Sequence, residues 1–153
     1  MAEEAPTTET EGVETVAEET EAQVDLAAPA DEQPAAAEVL PACAARGTGV
    51  VAASVFNSGL LAQSEPRRDG RYEYGQLPEE LWQRLVRIAA VCAAHDVPLP
   101  AAAIQFPLRA PEVRSVVVGG SRPAQLRQNA EYAALDIPDE LWAELAAEGL
   151  IPA

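Results

Sequence analysis

Lysine is absent from this chain. All ten basic residues among its 153 are arginine, so a catalytic lysine, a Schiff base and a P-loop lysine are excluded within it. Histidine occurs once, at His95, and cysteine twice, at Cys43 and Cys92, with no C-x-x-C pair. A zinc site therefore lacks a ligand set, and no metal is expected. Two isolated cysteines among apolar neighbours read as small buried side chains in a reduced compartment. No apolar stretch reaches roughly 18 residues without a charge, so no membrane span is expected. The first residues have neither the basic start nor the apolar middle of a secretory signal, which makes the cytoplasm the default location.

Charge is unevenly distributed. Residues 1–38 hold twelve of the 25 acidic groups and no basic one. Residues 39–153 hold thirteen acidic against ten basic groups, a net of three negative. The formal charge of −15 thus belongs mostly to the head. An acidic chain has no electrostatic footprint for nucleic acid. Residues 1–34 are Glu, Thr, Ala and Pro, with Val13, Val16, Val24 and Leu26 too sparse for a core. Such a segment cannot bury enough surface to offset its ordering entropy, and it is expected to be disordered. It is a solvated tail, or one that meets a basic partner.

Ordered structure is expected over residues 35–153. Ala35 to Ala45 suits a short helix with Val39, Leu40 and Cys43 on one side, capped by Gly47. Gly49 to Ser54 reads as a buried strand, and helix, glycine, strand is half of an α/β repeat. Asn57, Ser58 and Gly59 follow, where α/β proteins bind ligands or simply turn. Residues 62–76 read as an exposed loop, with Tyr72 and Tyr74 free to fold back over a neighbour. Pro78 begins the clearest helix: Glu79 and Glu80 suit its dipole, and Leu81, Leu85, Ile88 and Cys92 recur at helical spacing with Arg84 and Arg87 outside that stripe. His95 beside Asp96 reads as a cation at the helix end rather than a catalyst. Pro98 to Pro100 breaks the chain, and Ala101 to Leu108 forms a further helical segment packed by Ile104, Phe106 and Leu108. A last helix starts at Pro138, docked by Leu141, Leu145 and Trp142.

The chain is organised around Arg114 to Asn129. Ser115 to Val118 has the β-branched residues of a buried parallel strand. Gly119 and Gly120 permit a tight turn or a close approach to the backbone. Ser121 is placed to cap a helix over Arg122 to Leu135, with Pro123 in its first turn and Leu126, Ala130, Ala133 and Ala134 as a packing face. The exposed N–H groups at that helix start form a ready anion site, for which a nucleotide phosphate is one candidate; an ordinary βα turn uses the same residues.

Three motifs in order carry a resemblance: V-V-A-A-S-V-F-N-S-G-L-L at Val50–Leu61, V-P-L-P-A-A-A-I-Q-F-P-L at Val97–Leu108, and S-V-V-V-G-G-S-R-P-A-Q-L-R-Q-N at Ser115–Asn129. Together they resemble the C-terminal part of the aldo-keto reductase family, nearest a branch of aldose, fucose and pyridoxal dehydrogenases. The resemblance implies the seventh and eighth strands of a (β/α)8 barrel, here incomplete and preceded by the acidic head. It implies NADP or NAD as cofactor. Ser58, Gly59 and Leu60 would lie near the pyrophosphate with Asn57 beside them. Gly119, Gly120, Ser121 and Arg122 would meet the adenosine ribose and any 2′-phosphate, and Gln125, Gln128 and Asn129 the adenine.

The chain departs from the family pattern in three places. Ala53 stands where many members stack a tyrosine on the nicotinamide, and Phe56 is the candidate substitute. Gly119 stands where some relatives hold the 2′-phosphate with lysine, which leaves Arg122 as the argument for NADP. The Asp, Tyr, Lys and His catalytic set is absent, so no catalytic residue is assigned. The family reaction passes hydride between nicotinamide and a sugar or small carbonyl. The expectation is a fragment inactive alone, whose partner would be a missing N-terminal half-barrel. Alternatives are a non-catalytic nucleotide-binding or barrel-completing module, or an inactive truncated product.

Overall fold

The computed structural model describes residues 26–28, 35–72 and 75–152. After a single π-helical turn at Ala35–Val39, α1 spans Leu40–Arg46 and ends at Gly47. Only Leu40 of α1 is buried; Val39 is exposed, contrary to the expected shared face. Strand β1 is Val50–Ala52. A small antiparallel hairpin of β2 (Arg71–Tyr72) and β3 (Gly75–Gln76) interrupts the stretch read as loop. Tyr74 lies outside the described residues. Helix α2 is Glu79–Ala94, α3 is Leu99–Gln105, β4 is Val113–Val116, α4 is Pro123–Ala133 and α5 is Asp139–Ala147.

Strand β1 pairs with β4 in parallel, Val51 opposite Ser115 and Ala52 opposite Val116, with a bulge after Val50. The ladder runs one residue past β4, where Val117 N–H donates to Ala52 O at 2.8 Å. Parallel strands need a crossover, and α2 and α3 supply it. Each strand buries one face. Val50, Ala52, Val113 and Val116 join Leu40, Val55 and Ile104 in a strand core. Val51, expected to be buried, is 60% exposed because alternation turns it to the uncovered face.

The larger core lies among the helices. Leu81, Leu85, Ile88 and Cys92 of α2 are buried as their spacing predicts, joined by Val91. Leu141, Trp142 and Leu145 dock α5, and Trp142 meets Phe106 at a ring separation of 6.4 Å. Pro78 and Pro138 each stand just before a helix, as N-caps in extended conformation. The Pro98–Pro100 stretch does not break α3 but begins it. Pro100 sits in the first turn, where a missing N–H costs nothing. Pro107 then ends it early, and Leu108 falls in a 3₁₀ turn, 41% exposed instead of packed.

Arg84, expected outside the packing stripe, turns inward. Its guanidinium donates to Ala28 O at 3.1 Å, to Gly149 O at 3.3 Å and to Leu150 O, tying α2 to the chain's last turn. Leu26, Ala27 and Ala28 are buried there; the rest of the acidic segment read as disordered lies outside the described residues. His95 does not bind the last carbonyls of α2 through its ring. Its Nε2 lies 2.8 Å from Glu144 Oε2 on α5. No single helix among the described residues is long and apolar enough to cross a membrane. Helices α2 and α3 pass that test only as a pair bent by 101°.

Leu85 is fully buried and Val51 is exposed, so the two separate core from surface. Leu85→Ala should cost about 2–5 kcal/mol, read as a lower urea midpoint, whereas Val51→Ala should stay within about 0.5 kcal/mol.

Candidate functional site

Because β1 and β4 are parallel neighbours, the loops that follow them leave the sheet at the same edge. That edge, beyond the carboxyl ends of the strands, is where α/β folds place ligands.

The first loop is a left-handed coil of backbone. Ser54, Asn57 and Ser58 have φ of 58°, 38° and 53°, followed by Gly59 at 91°. Each non-glycine residue there costs on the order of 1–2 kcal/mol. Overlapping turns repay part of this: Asn57 N–H donates to Ser54 O at 2.8 Å, Gly59 N–H to Phe56 O at 3.0 Å and Leu60 N–H to Asn57 O at 3.0 Å. Asn57 is the buried polar residue of the loop, 5% exposed, and Val55 beside it is fully enclosed. Phe56 is half-buried and packs against both cores. Leu60 is buried, while Ser58 and Gly59 face outward. Strained backbone of this kind gathers at ligand clamps.

Ser58, Gly59 and Leu60 line a recess with Gln63, Glu65, Arg67 and Gly70. Its volume of about 80 Å³ suits a phosphate-sized group, not a whole dinucleotide. Arg67 is already paired. It grips Asp69 through Nε at 2.9 Å and Nη2 at 2.7 Å. That bidentate contact raises the guanidinium pKa and holds the Asp69 carboxyl below its ordinary value. Sequence reading missed these lining residues, because Arg67 to Gly70 look like any polar loop.

The second loop runs from Val117 to Arg122. Neither Gly119 nor Gly120 has positive φ. The close approach expected of the pair is seen at Gly120, where a Cβ would meet Leu126 Cδ2 at 2.9 Å, while Gly119 has open space around its Cα. Ser121 is not the cap; Arg122 occupies that position in extended conformation with no side-chain cap bond. Gln125 takes over instead. Its Oε1 accepts from both Ser121 N–H and Ser121 Oγ–H at 3.0 Å. The glutamine thus reaches one residue past the N-cap Arg122, so it ties down the incoming loop and is not the N-cap contact of a capping box. Asn129 Nδ2 donates to Gly119 O at 3.3 Å. Gln128 turns away and donates to Tyr132 Oη at 2.9 Å. The structure thus joins Gly119, Ser121, Gln125 and Asn129 into one bonded unit beside Gly120 and Arg122, and leaves Gln128 on the next side.

Helix α4 lies along α3 and sends Tyr132 against both cores, but it is not enclosed. None of its residues is buried, and the expected packing face of Leu126, Ala130, Ala133 and Ala134 is exposed. Gln105 anchors it, donating to Tyr132 O and Leu135 O at 2.8 Å each. Gln105 was also missed in the sequence, where it passes for the polar end of an alanine-rich helix.

No group of His, Cys, Asp and Glu among the described residues could hold a metal ion. Cys92 is no nucleophile, since burial pushes its thiol up to about 12.

Two glycine-bearing loops thus leave one end of a parallel pair, and the second opens a helix with amide side chains. A model of the aldo/keto reductase family matches residues 8–148. The chain belongs to the aldo/keto reductase family. It is 82% identical over 121 residues to a D-threo-aldose 1-dehydrogenase of Pseudomonas sp, across 79% of this chain and 37% of that protein. It is 44% identical over 115 residues to a pyridoxal 4-dehydrogenase of Microbacterium luteolum, across 74% of this chain and 33% of that one. The chain therefore spans about a third of the length of these curated relatives. The aldo/keto reductase fold is a (β/α)8 barrel, and β1 with β4 is a parallel pair of that kind.

Gln125→Ala removes the acceptor for two Ser121 donors and should cost about 0.5–2 kcal/mol, with faster hydrogen exchange at the Ser121 amide. At pH 8 a thiol of pKa about 12 is only about one part in ten thousand thiolate. Iodoacetamide should therefore spare Cys92 in the folded chain and modify it in urea, as read by mass spectrometry.

Proposed function

We propose that this chain is the cofactor-binding C-terminal part of an NAD(P)-dependent oxidoreductase of the aldose 1-dehydrogenase type. The observation that carries this is the parallel pairing of β1 with β4, which brings both loops to one edge. Its relatives' activities on an aldose and on pyridoxal support a sugar or small carbonyl as the substrate class.

Bound nicotinamide supplies the hydride acceptor or donor. This chain's residues would hold the dinucleotide. Ser58, Gly59 and Leu60 would meet the pyrophosphate at the small recess, with Asn57 fixing the loop from beneath. Phe56 would offer its half-exposed ring to the nicotinamide in place of the tyrosine missing at Ala53. The Ser121 N–H and hydroxyl now bound by Gln125 would turn to the adenosine ribose. Gln125, Gln128 and Asn129 carry amides that can pair with adenine. Arg122, exposed and cationic, favours a 2′-phosphate and hence NADP, while Gly119 offers no charge.

Proton transfer falls elsewhere. The 153 residues contain no lysine, and the one histidine is engaged with Glu144 at the far end of α2. We infer that these residues alone do not catalyse the reaction, because the family's catalytic tyrosine works with a lysine and a histidine from the first half of the barrel, and this chain has no lysine to accompany any of its three tyrosines.

Titration of the pure chain with NADH and NADPH, followed by nucleotide fluorescence, should show weak binding that Asn129→Ala and Arg122→Ala reduce. The same preparation should not oxidise fucose or another aldose with NAD or NADP. Turnover would overturn the assignment of the chemistry elsewhere. Absence of dinucleotide binding, alone and in an assembled barrel, would overturn the cofactor assignment.

A further inference from the structure

The recess beside Ser58, Gly59 and Leu60 has a second wall, and Arg67 is the one cation on it among the described residues. Residues 67–70 form a turn in which Gly70 N–H donates to Arg67 O at 3.1 Å. The turn lies hard against the strained loop, since a Cβ on Gly70 would meet Leu60 Cδ2 at 2.5 Å. Its other side is fixed to α2. The Arg68 guanidinium stacks over Trp82, 5.5 Å from the ring centroid, and pairs with Glu79. The two neighbouring arginines thus have separate tasks. Arg68 holds the turn, and Arg67 stays at the recess with Asp69 as its partner. Asp69 itself is outside the lining, so Arg67 stands between the recess and its carboxylate.

We propose that Asp69 holds the place of a diphosphate: Arg67 releases its carboxylate and takes the phosphate oxygens of a ligand seated at Ser58 to Leu60. This rests on the cofactor reading above and adds Arg67 and Asp69 to it. Arg67 grips Asp69 through Nε and Nη2, one edge of the guanidinium, and that same fork matches two phosphate oxygens. The two side chains are 65% and 70% exposed, so water screens the pair and it breaks easily. A diphosphate carries more negative charge than one carboxylate and competes well for the fork. The exchange is needed as well as permitted. Glu65 also lines the recess, and while Asp69 neutralises Arg67 that carboxylate leaves the recess hostile to anions. Arg67 turned inward offsets it. No lysine exists in the chain to serve instead.

The test is calorimetric titration of the full chain with inorganic pyrophosphate and, separately, with NADPH. Arg67→Gln should weaken both about tenfold, and Arg67→Lys, which keeps the charge but not the fork, about threefold. Asp69→Asn should tighten both about threefold, and that gain should vanish when Arg67→Gln is added. Arg46→Gln should change neither, because that guanidinium lies on α1 and donates to Ala42 O. Positions 46, 67 and 69 are exposed, so circular dichroism of each variant should match the parent. Unchanged binding in Arg67→Gln would overturn the exchange. So would an Asp69→Asn gain that persists in the double variant, since that is plain charge repulsion. Pyrophosphate binding with these effects, but no NADPH binding, supports the exchange and refutes the cofactor assignment. NADPH binding indifferent to Arg67 refutes the exchange alone, and binding of neither probe refutes both.

Discussion

The structure depends on the burial of α3 from two sides. Six of its seven residues, Leu99 to Ile104, are enclosed. Ala101, Ala102 and Ala103 belong to the helical core, while Ile104 belongs to the strand core. A helix this short has little intrinsic stability, because nucleation is not repaid over two turns. Small side chains solve that problem here. They let α2 and the strands approach closely, and each methyl packs without losing rotamer freedom. With α3 fixed, Ile104 meets Val55 and Val113, and the parallel pair acquires its one covered face. Gln105, the exception in the row, then uses its amide to hold α4.

That arrangement stiffens one end of each loop and leaves the other to local chemistry. Val55 is pinned in the strand core, and the positive-φ coil begins around it. Leu60 and Leu61 drop into the helical core at the other end. The strained residues between are thus over-determined by burial on both sides. The second loop has no such anchor. Val118 is its last residue in the strand core, and beyond it, among the described residues, the side chains of Gln125 and Asn129 bond to Ser121 and Gly119. The exposed donors are preformed but satisfied internally, so a ligand there exchanges one hydrogen bond for another rather than gaining one outright.

Local pattern was legible where the partner lies within the chain. The Leu81, Leu85, Ile88, Cys92 stripe and the Leu141, Leu145 pair could be read because α2 and α5 bury them against each other and α3. The stripe Leu126, Ala130, Ala133 has the same spacing, yet it is bare. Periodicity records a packing face but not which element supplies the other side. Ser121 is misread: it looks like a cap by residue type alone, but Gln125 one helical turn on takes both of its donors. Arg84 failed for a different reason: three carbonyls gathered from distant segments can draw a long cation inward, and no local signal announces them.

The missing lysine and the bare faces point the same way. A two-stranded sheet is marginal in isolation, and here it survives on one face only because α1 and α3 cover it. The other face carries valine where a solvated strand would carry polar residues, as Val51 and Val117 show. Beside them the α4 stripe of Leu126, Ala130 and Ala133 is likewise uncovered among the described residues, as is expected of a parallel pair from a closed barrel. Under the function proposed above, the dinucleotide's adenosine end and pyrophosphate would meet these two loops. Both loops hang from that one parallel pair, so whatever steadies its open face would also steady the proposed binding surface.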